Sequence, residues 1–131
     1  MYRFCRKMYR FIYESELPSV FLLNLIFKAD RMKHMKQIEK DEKEIKEIIF
    51  RFLDTKKYQV FIFGSRATGK AKKFSDYDIG ISGKDVVSSQ VKILIEEALE
   101  ESNLPYKVDI VDFSLVSSNF KKVALSKIKK L

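Results

Sequence analysis

The chain has 131 residues, 46% hydrophobic and 34% charged, enough for one domain with a core, too short for two ordinary ones, and unlike a disordered or fibrous protein. Its formal charge of +8 suits an anionic partner such as a nucleotide, a nucleic acid or an acidic protein, although half of that excess falls in residues 1–35. A lone cysteine, Cys5, excludes an intrachain disulfide, and a lone histidine, His34, leaves little room for zinc or His-dependent chemistry, so any catalysis rests on carboxylates, hydroxyls, lysines and bound cations.

Residues 1–35 hold all four methionines, the cysteine and seven of the 17 aromatic residues, with no sustained period of 3.6 or 2. They read as an N-terminal arm that docks on a partner, or as a stretch upstream of the natural start. The apolar run Val20–Phe27 is far shorter than the roughly 20 residues that span a bilayer. The basic start resembles a signal-peptide n-region, but Glu14, Glu16 and Pro18 interrupt the stretch after it and no small-residue cleavage site appears. A reducing, cytoplasmic setting is the expectation.

From residue 36 a domain begins and extends to 131. Ile38, Ile45, Ile48, Ile49, Phe52 and Leu53 recur at helical spacing, which predicts an amphipathic helix over 36–56 laced with pairs such as Glu39–Lys43 and Glu42–Lys46. The β-branched and aromatic run 58–63 predicts a buried strand, residues 76–82 a second and residues 106–113 a third. Between the last two, Val87, Val91, Leu94, Ile95 and Ala98 predict a helix over 86–101, and Val116 to Ile128 carries a final amphipathic helix with a lysine-rich end. The order helix, strand, strand, helix, strand, helix is that of an α/β chain.

The chemistry concentrates between Phe61 and Ser82, "FIFGSRATGKAKKFSDYDIGIS". Residues i and i+2 of a strand share a face, so Asp76 and Asp78 project together while Tyr77 and Ile79 face the other way. Two such carboxylates repel each other unless one takes a proton or a divalent cation binds. Mg²⁺ favours one or two carboxylates plus phosphate oxygens. By the same parity, Asp109 alternates with Val108 and Ile110, and it completes a triad able to hold two metals if the strands 76–82 and 106–113 are neighbours. Asp112 has the opposite parity. Gly64 and Ser65 leave the first strand at a sharp exit, where a glycine lets backbone approach a ligand and amides opening a helical turn bind phosphate. Arg66, Lys70, Lys72 and Lys73 add cations around that exit. Each piece alone has an ordinary reading, as a turn, an edge residue or a solubilising charge.

The combination resembles the polymerase-β-like nucleotidyltransferases, specifically their minimal form, the MNT proteins. Their pattern is an apolar residue, Gly, then Gly or Ser, a gap, and Asp, apolar, Asp or Glu, apolar. Here it stands as Phe63-Gly64-Ser65, ten residues, then Asp76-Tyr77-Asp78-Ile79. The resemblance covers about residues 37–131. It implies an α+β fold, with a small mixed sheet of three to four strands flanked by helices. It also implies Asp76, Asp78 and Asp109 as metal ligands, with Asp109 a base for the attacking hydroxyl, and Gly64 and Ser65 as a triphosphate cradle. Arg66 would be a subsidiary phosphate or partner contact. The implied cofactors are Mg²⁺, two ions, and ATP as donor. The implied reaction moves AMP to a protein hydroxyl, a tyrosine of a HEPN toxin, making the chain an antitoxin in a hetero-oligomer with its toxin. The alternative within that family is an antitoxin that neutralises by binding alone. No helix-turn-helix, zinc or RNA-binding signature supports a nucleic-acid partner.

Overall fold

Neither proline nor glycine occurs between Pro18 and Gly64, and nothing in that stretch stops a helix once one has begun. The computed structural model describes residues 20–131. It shows a helix, α1 (Val20–Phe50), starting well before the predicted position 36. The first nineteen residues of the expected arm lie outside the described residues. Residues 20–35 escaped the periodicity reading because Val20, Phe21, Leu22, Leu25 and Phe27 are all exposed, so no buried face imposes a repeat. The chain divides into two units with the boundary between Glu39 and Lys40. No helix among the described residues is long and apolar enough to cross a membrane.

In the second unit α1 buries Ile45, Ile48 and Ile49, an i, i+3, i+4 set that makes one stripe. The helix stops at Phe50, not 56, because Asp54 organises the exit: its carboxylate accepts the Lys56 N–H (2.8 Å) and its carbonyl accepts those of Lys57 and Tyr58. The ion pairs differ in register from those expected, with Lys43 meeting Glu47, while Glu42 meets Lys129 at 2.6 Å.

The remaining elements are β1 (Tyr58–Phe63), a one-turn helix α2 (Ser65–Thr68), β2 (Tyr77–Gly83), α3 (Ser89–Glu100), β3 (Val108–Asp112), α4 (Ser118–Ala124) and β4 (Lys129–Lys130). They form a mixed four-stranded sheet in the order β3-β2-β1-β4, with β2 and β3 parallel and the other pairs antiparallel. Strand β4 takes the end of the predicted final helix. Two lysines carry no alternation for a sequence reading to detect, and lysine suits an edge strand. Helix α3 starts where the Ser88 hydroxyl accepts the Val91 N–H, and it buries Ile95 and Leu99 rather than Leu94.

Strand alternation divides the core between the sheet's faces. Val60, Ile62, Tyr77, Ile79, Ile81 and Ile110 pack with the isoleucines of α1 and with Ile95 and Leu99 of α3. Truncating one of these to alanine costs about 2–5 kcal/mol. On the other face Phe61, Phe63 and Phe113 form a second cluster, with Val111, Val116, Ala124 and Ile128 against it. Phe113 meets Phe61 and Phe63 edge-on, with centroids 4.9 and 5.2 Å apart. Gly80 shares that face, and a side chain there would overlap the Phe61 and Phe113 rings.

Candidate active site

The apolar residues of β2 and β3 fill the first core, so their alternates, Asp78 and Asp109, lie on the phenylalanine face. In the register of the sheet Asp78 stands opposite Phe63 on one side and opposite Asp109 on the other. Strands 76–82 and 106–113, whose adjacency the sequence left conditional, are therefore parallel neighbours. Asp76 lies one residue before β2 and is exposed, whereas Asp78 and Asp109 are half-buried. The Tyr77 N–H donates to the Lys107 carbonyl (2.9 Å), extending the parallel pairing to the residue between Asp76 and Asp78.

The carboxylates sense one another. Burial raises the Asp78 carboxyl above its ordinary value, and the charges of Asp109 and Asp76 raise it further. Asp109 has a neighbour that sequence reasoning missed: Lys107 Nζ lies 3.5 Å from its Oδ1, the lysine exposed and the aspartate half-buried. Parity was the available signal, since Lys107 and Asp109 are two apart. Asp112 falls on the opposite face, as its parity requires. It is buried, and it accepts hydrogen bonds from the Val87 N–H (2.8 Å), the Ser114 N–H (2.9 Å) and the Ser114 hydroxyl (2.6 Å). Burial pushes its carboxyl up, but the Ser114 and Val87 bonds and the Lys92 charge prevail and hold it below the ordinary value.

Gly64 terminates β1 with φ 71° and ψ −147°, a conformation that is essentially glycine's alone. A Cβ at this position would stand 2.5 Å from Asp78 Oδ2. The bare backbone of the turn thus lies directly beside a carboxylate oxygen. The Gly64 carbonyl accepts the Ala67 and Thr68 N–H groups, both at 3.1 Å, which leaves the amides of Ser65 and Arg66 as those without an acceptor inside α2. Strand end, glycine turn and helix start meet next to Asp78. Of the basic side chains expected around the exit, Lys73 lies over the Phe74 ring, 5.5 Å from its centroid.

Arg66 has several partners. Its Nε and Nη2 donate to the Ser75 carbonyl at 3.2 and 2.6 Å, and Nη2 also approaches the Lys73 carbonyl at 3.5 Å. Its Cζ sits 4.2 Å from the Tyr77 ring centroid and 4.5 Å from that of Tyr106. The two tyrosines meet edge-on at 5.2 Å. Burial pushes the Tyr77 phenol up to about 12 against the opposing Arg66 charge, and its hydroxyl has no hydrogen-bond partner among the described residues.

Asp76, Asp78 and Asp109 offer oxygen donors of the kind hard divalent cations take, and Gly64 leaves the side of Asp78 Oδ2 free of a Cβ. By donor chemistry the residues fit Mg²⁺. Among the described residues, no group of three or more His, Cys, Asp or Glu side chains is gathered closely enough to hold a metal by itself.

The fold has counterparts among known proteins. A family model described as "Polymerase beta, Nucleotidyltransferase" matches residues 33–131. A probable protein adenylyltransferase, MntA of Haemophilus influenzae, is 39% identical over 66 residues, which is 50% of this chain and 58% of that protein. The chain thus spans somewhat over half the length of that relative. Among solved structures, a toxin–antitoxin complex with AMP-PNP aligns with TM-score 0.57 and 24% identity, over 68% of this chain and 70% of that one. The complex of the tri-AMPylated Shewanella oneidensis HEPN toxin with its MNT antitoxin aligns with TM-score 0.54 and 21% identity, over 70% and 69%. At those identities the structures speak to the fold.

Proposed function

The chain belongs to the polymerase beta nucleotidyltransferase family, and from that premise we propose that it is a cytoplasmic protein adenylyltransferase that moves AMP from ATP to a hydroxyl of a partner toxin, a tyrosine of a HEPN protein, and so acts as an antitoxin. The observation that carries this reading is the register that sets Asp78 against Asp109 on one face, with the bare Gly64 turn beside Asp78. Two relatives support the choice of acceptor class: the similar MntA is named a probable protein adenylyltransferase, and a structure of the same fold holds an AMPylated HEPN toxin.

Each residue has a role in the proposal. Asp76, Asp78 and Asp109 hold Mg²⁺, two ions, which when bound neutralise charge on the phosphate oxygens. Gly64 and Ser65 cradle the triphosphate through the amides that open α2. Asp109 accepts the proton of the acceptor hydroxyl. The hydroxyl oxygen bonds to the α-phosphorus, the bond from that phosphorus to the bridging oxygen breaks, and pyrophosphate leaves with the electron pair. Neither histidine nor cysteine is needed. The domain extends over 36–131, and the partner supplies the acceptor surface.

A second reading has its own observation. The carboxylates are not gathered into a metal-holding group, and Lys107 pairs with Asp109, as in a protein that neutralises its toxin by masking alone. Incubating the full chain with its partner toxin, ATP and Mg²⁺ separates the two. Adenylylation adds AMP to the toxin, seen by mass spectrometry and lost in Asp78→Ala. Neutralisation of an unmodified toxin that persists in Asp76→Ala/Asp78→Ala establishes masking instead.

A further inference from the structure

Ser65 and Arg66 are consecutive, yet their side chains have different occupations. Arg66 directs two donors at the carbonyl of Ser75, the residue immediately before Asp76. The same guanidinium lies against Tyr77, the residue between Asp76 and Asp78. Its other ring contact, Tyr106, precedes Asp109 by three positions and touches Tyr77 edge-on. One side chain, rooted in the turn beside Asp78, therefore contacts the chain segments that carry all three carboxylates. The segment it holds has few internal ties. Between Gly69 and Asp76 there is no regular element, and Ser75 contributes a short local turn through the Lys72 N–H (2.7 Å) and the Lys72 carbonyl (3.1 Å).

Arginine suits this position in a way lysine does not. Its planar fork presents two N–H groups to one carbonyl oxygen while its flat faces lie against aromatic rings. A guanidinium with Nε and Nη2 on the Ser75 carbonyl and its carbon within 4.5 Å of two ring centroids is engaged with the protein through both its fork and its faces.

We propose that Arg66 is a positioning residue: it ties the Gly64–Ser65 turn to the Ser75–Tyr77 segment and to Tyr106, and so sets where Asp76 and Asp78 stand relative to the phosphate cradle, without contacting the nucleotide. This assignment rests on the transferase reading for its functional meaning. It departs from the subsidiary phosphate or partner contact that family resemblance implies for Arg66. The relation is that of an outer partner orienting a ligand-bearing segment, where losses of about 10- to 100-fold in metal affinity or activity accompany removal.

The test compares Arg66→Lys, Arg66→Gln, Tyr106→Phe and Tyr106→Leu in the full chain. Three readouts are needed: amide hydrogen exchange of residues 70–78 without ATP or metal, Mn²⁺ binding by electron paramagnetic resonance, and kcat and KM for ATP in AMP transfer. Exchange over 70–78 should rise about tenfold or more in both Arg66 variants and in Tyr106→Leu, a local opening rather than global unfolding. The Mn²⁺ half-saturation point should rise about tenfold. The value of kcat should fall about 10- to 100-fold, with KM for ATP within about threefold of wild type. Tyr106→Phe keeps the ring face but removes a hydroxyl hydrogen-bonded to Arg66 and Asp41, and should fall between wild type and Tyr106→Leu. Unchanged exchange and Mn²⁺ binding, with a KM for ATP raised tenfold or more and kcat retained, would make Arg66 a phosphate contact and overturn the proposal. Should Arg66→Gln fail to fold, Arg66→Lys and Tyr106→Leu carry the same comparison. A wild-type protein that transfers no AMP defeats the transferase reading alone, because exchange and Mn²⁺ binding still decide the role of Arg66.

Discussion

Replacing Gly64 by alanine perturbs the backbone and the site at one atom, and the two costs can be worked out separately. The first is conformational: φ 71° with ψ −147° lies where non-glycine residues pay about 1–3 kcal/mol. The second is steric, because the new methyl would stand 2.5 Å from Asp78 Oδ2 and 3.4 Å from its Cγ, an overpacking of the kind that costs about 1–3 kcal/mol. Gly64→Ala should therefore lose about 2–6 kcal/mol in urea unfolding of the full chain monitored by far-UV circular dichroism. Asp78→Ala removes the atoms the methyl meets, so the double variant should recover about 1–2 kcal/mol relative to additivity. Gly69→Ala is the internal comparison. Gly69 also has positive φ, 75°, but nothing lies within 4 Å of its Cβ position, so it should show the conformational cost without coupling to Asp78. A Gly64→Ala loss below about 0.5 kcal/mol, or a double variant additive to within that error, refutes the close approach of turn and carboxylate.

Three further outcomes rest on the same structure. Because the Asp78 carboxyl is raised, the folded state holds its proton more tightly than the unfolded chain, and stability is lost as pH rises through the folded value; metal-free Asp78→Asn should thus melt higher than wild type at neutral pH, an advantage that fades on acidification and that added Mg²⁺ reverses. Asp112 is lowered, so its contribution is present above the ordinary carboxylate value and lost as pH falls through the depressed one; Asp112→Ala should cost about 2–4 kcal/mol in denaturant titration at pH 7 by leaving the buried Val87 N–H and the Ser114 groups without their acceptor. Tyr77→Phe removes a buried hydroxyl that lacks a partner among the described residues and should raise stability by about 1 kcal/mol, a gain of roughly 4–8 °C in melting temperature.

How much could be read in advance depends on how local each residue's environment is. The face shared by Asp78 and Asp109 was legible because alternation along a strand is a matter of neighbouring residues, and Ile79 and Ile110 mark the buried side. Their adjacency was not, since it depends on the parallel pairing of β2 with β3 across a helix. Residues 20–35 gave no helical signal because a helix with exposed apolar residues carries no one-sided pattern. Strand β4 has only Lys129 and Lys130, which pair with Ile62 and Phe61 of β1. The surroundings of Arg66 are spread from Lys73 to Tyr106, and no spacing rule connects a guanidinium to a carbonyl nine residues on and a ring forty residues on.

We propose above that the face holding Asp78 and Asp109 beside the Gly64 turn transfers AMP. The most direct measurement supplies the chain and its partner toxin with Mg²⁺ and ATP labelled on either the α- or the γ-phosphate, and tracks label on the toxin together with pyrophosphate. Label from the α-phosphate should appear on the toxin with one pyrophosphate released per AMP, and disappear in Asp78→Ala and Asp109→Ala. Label from the γ-phosphate alone, or neutralisation of the toxin with no α-label transferred, contradicts the account.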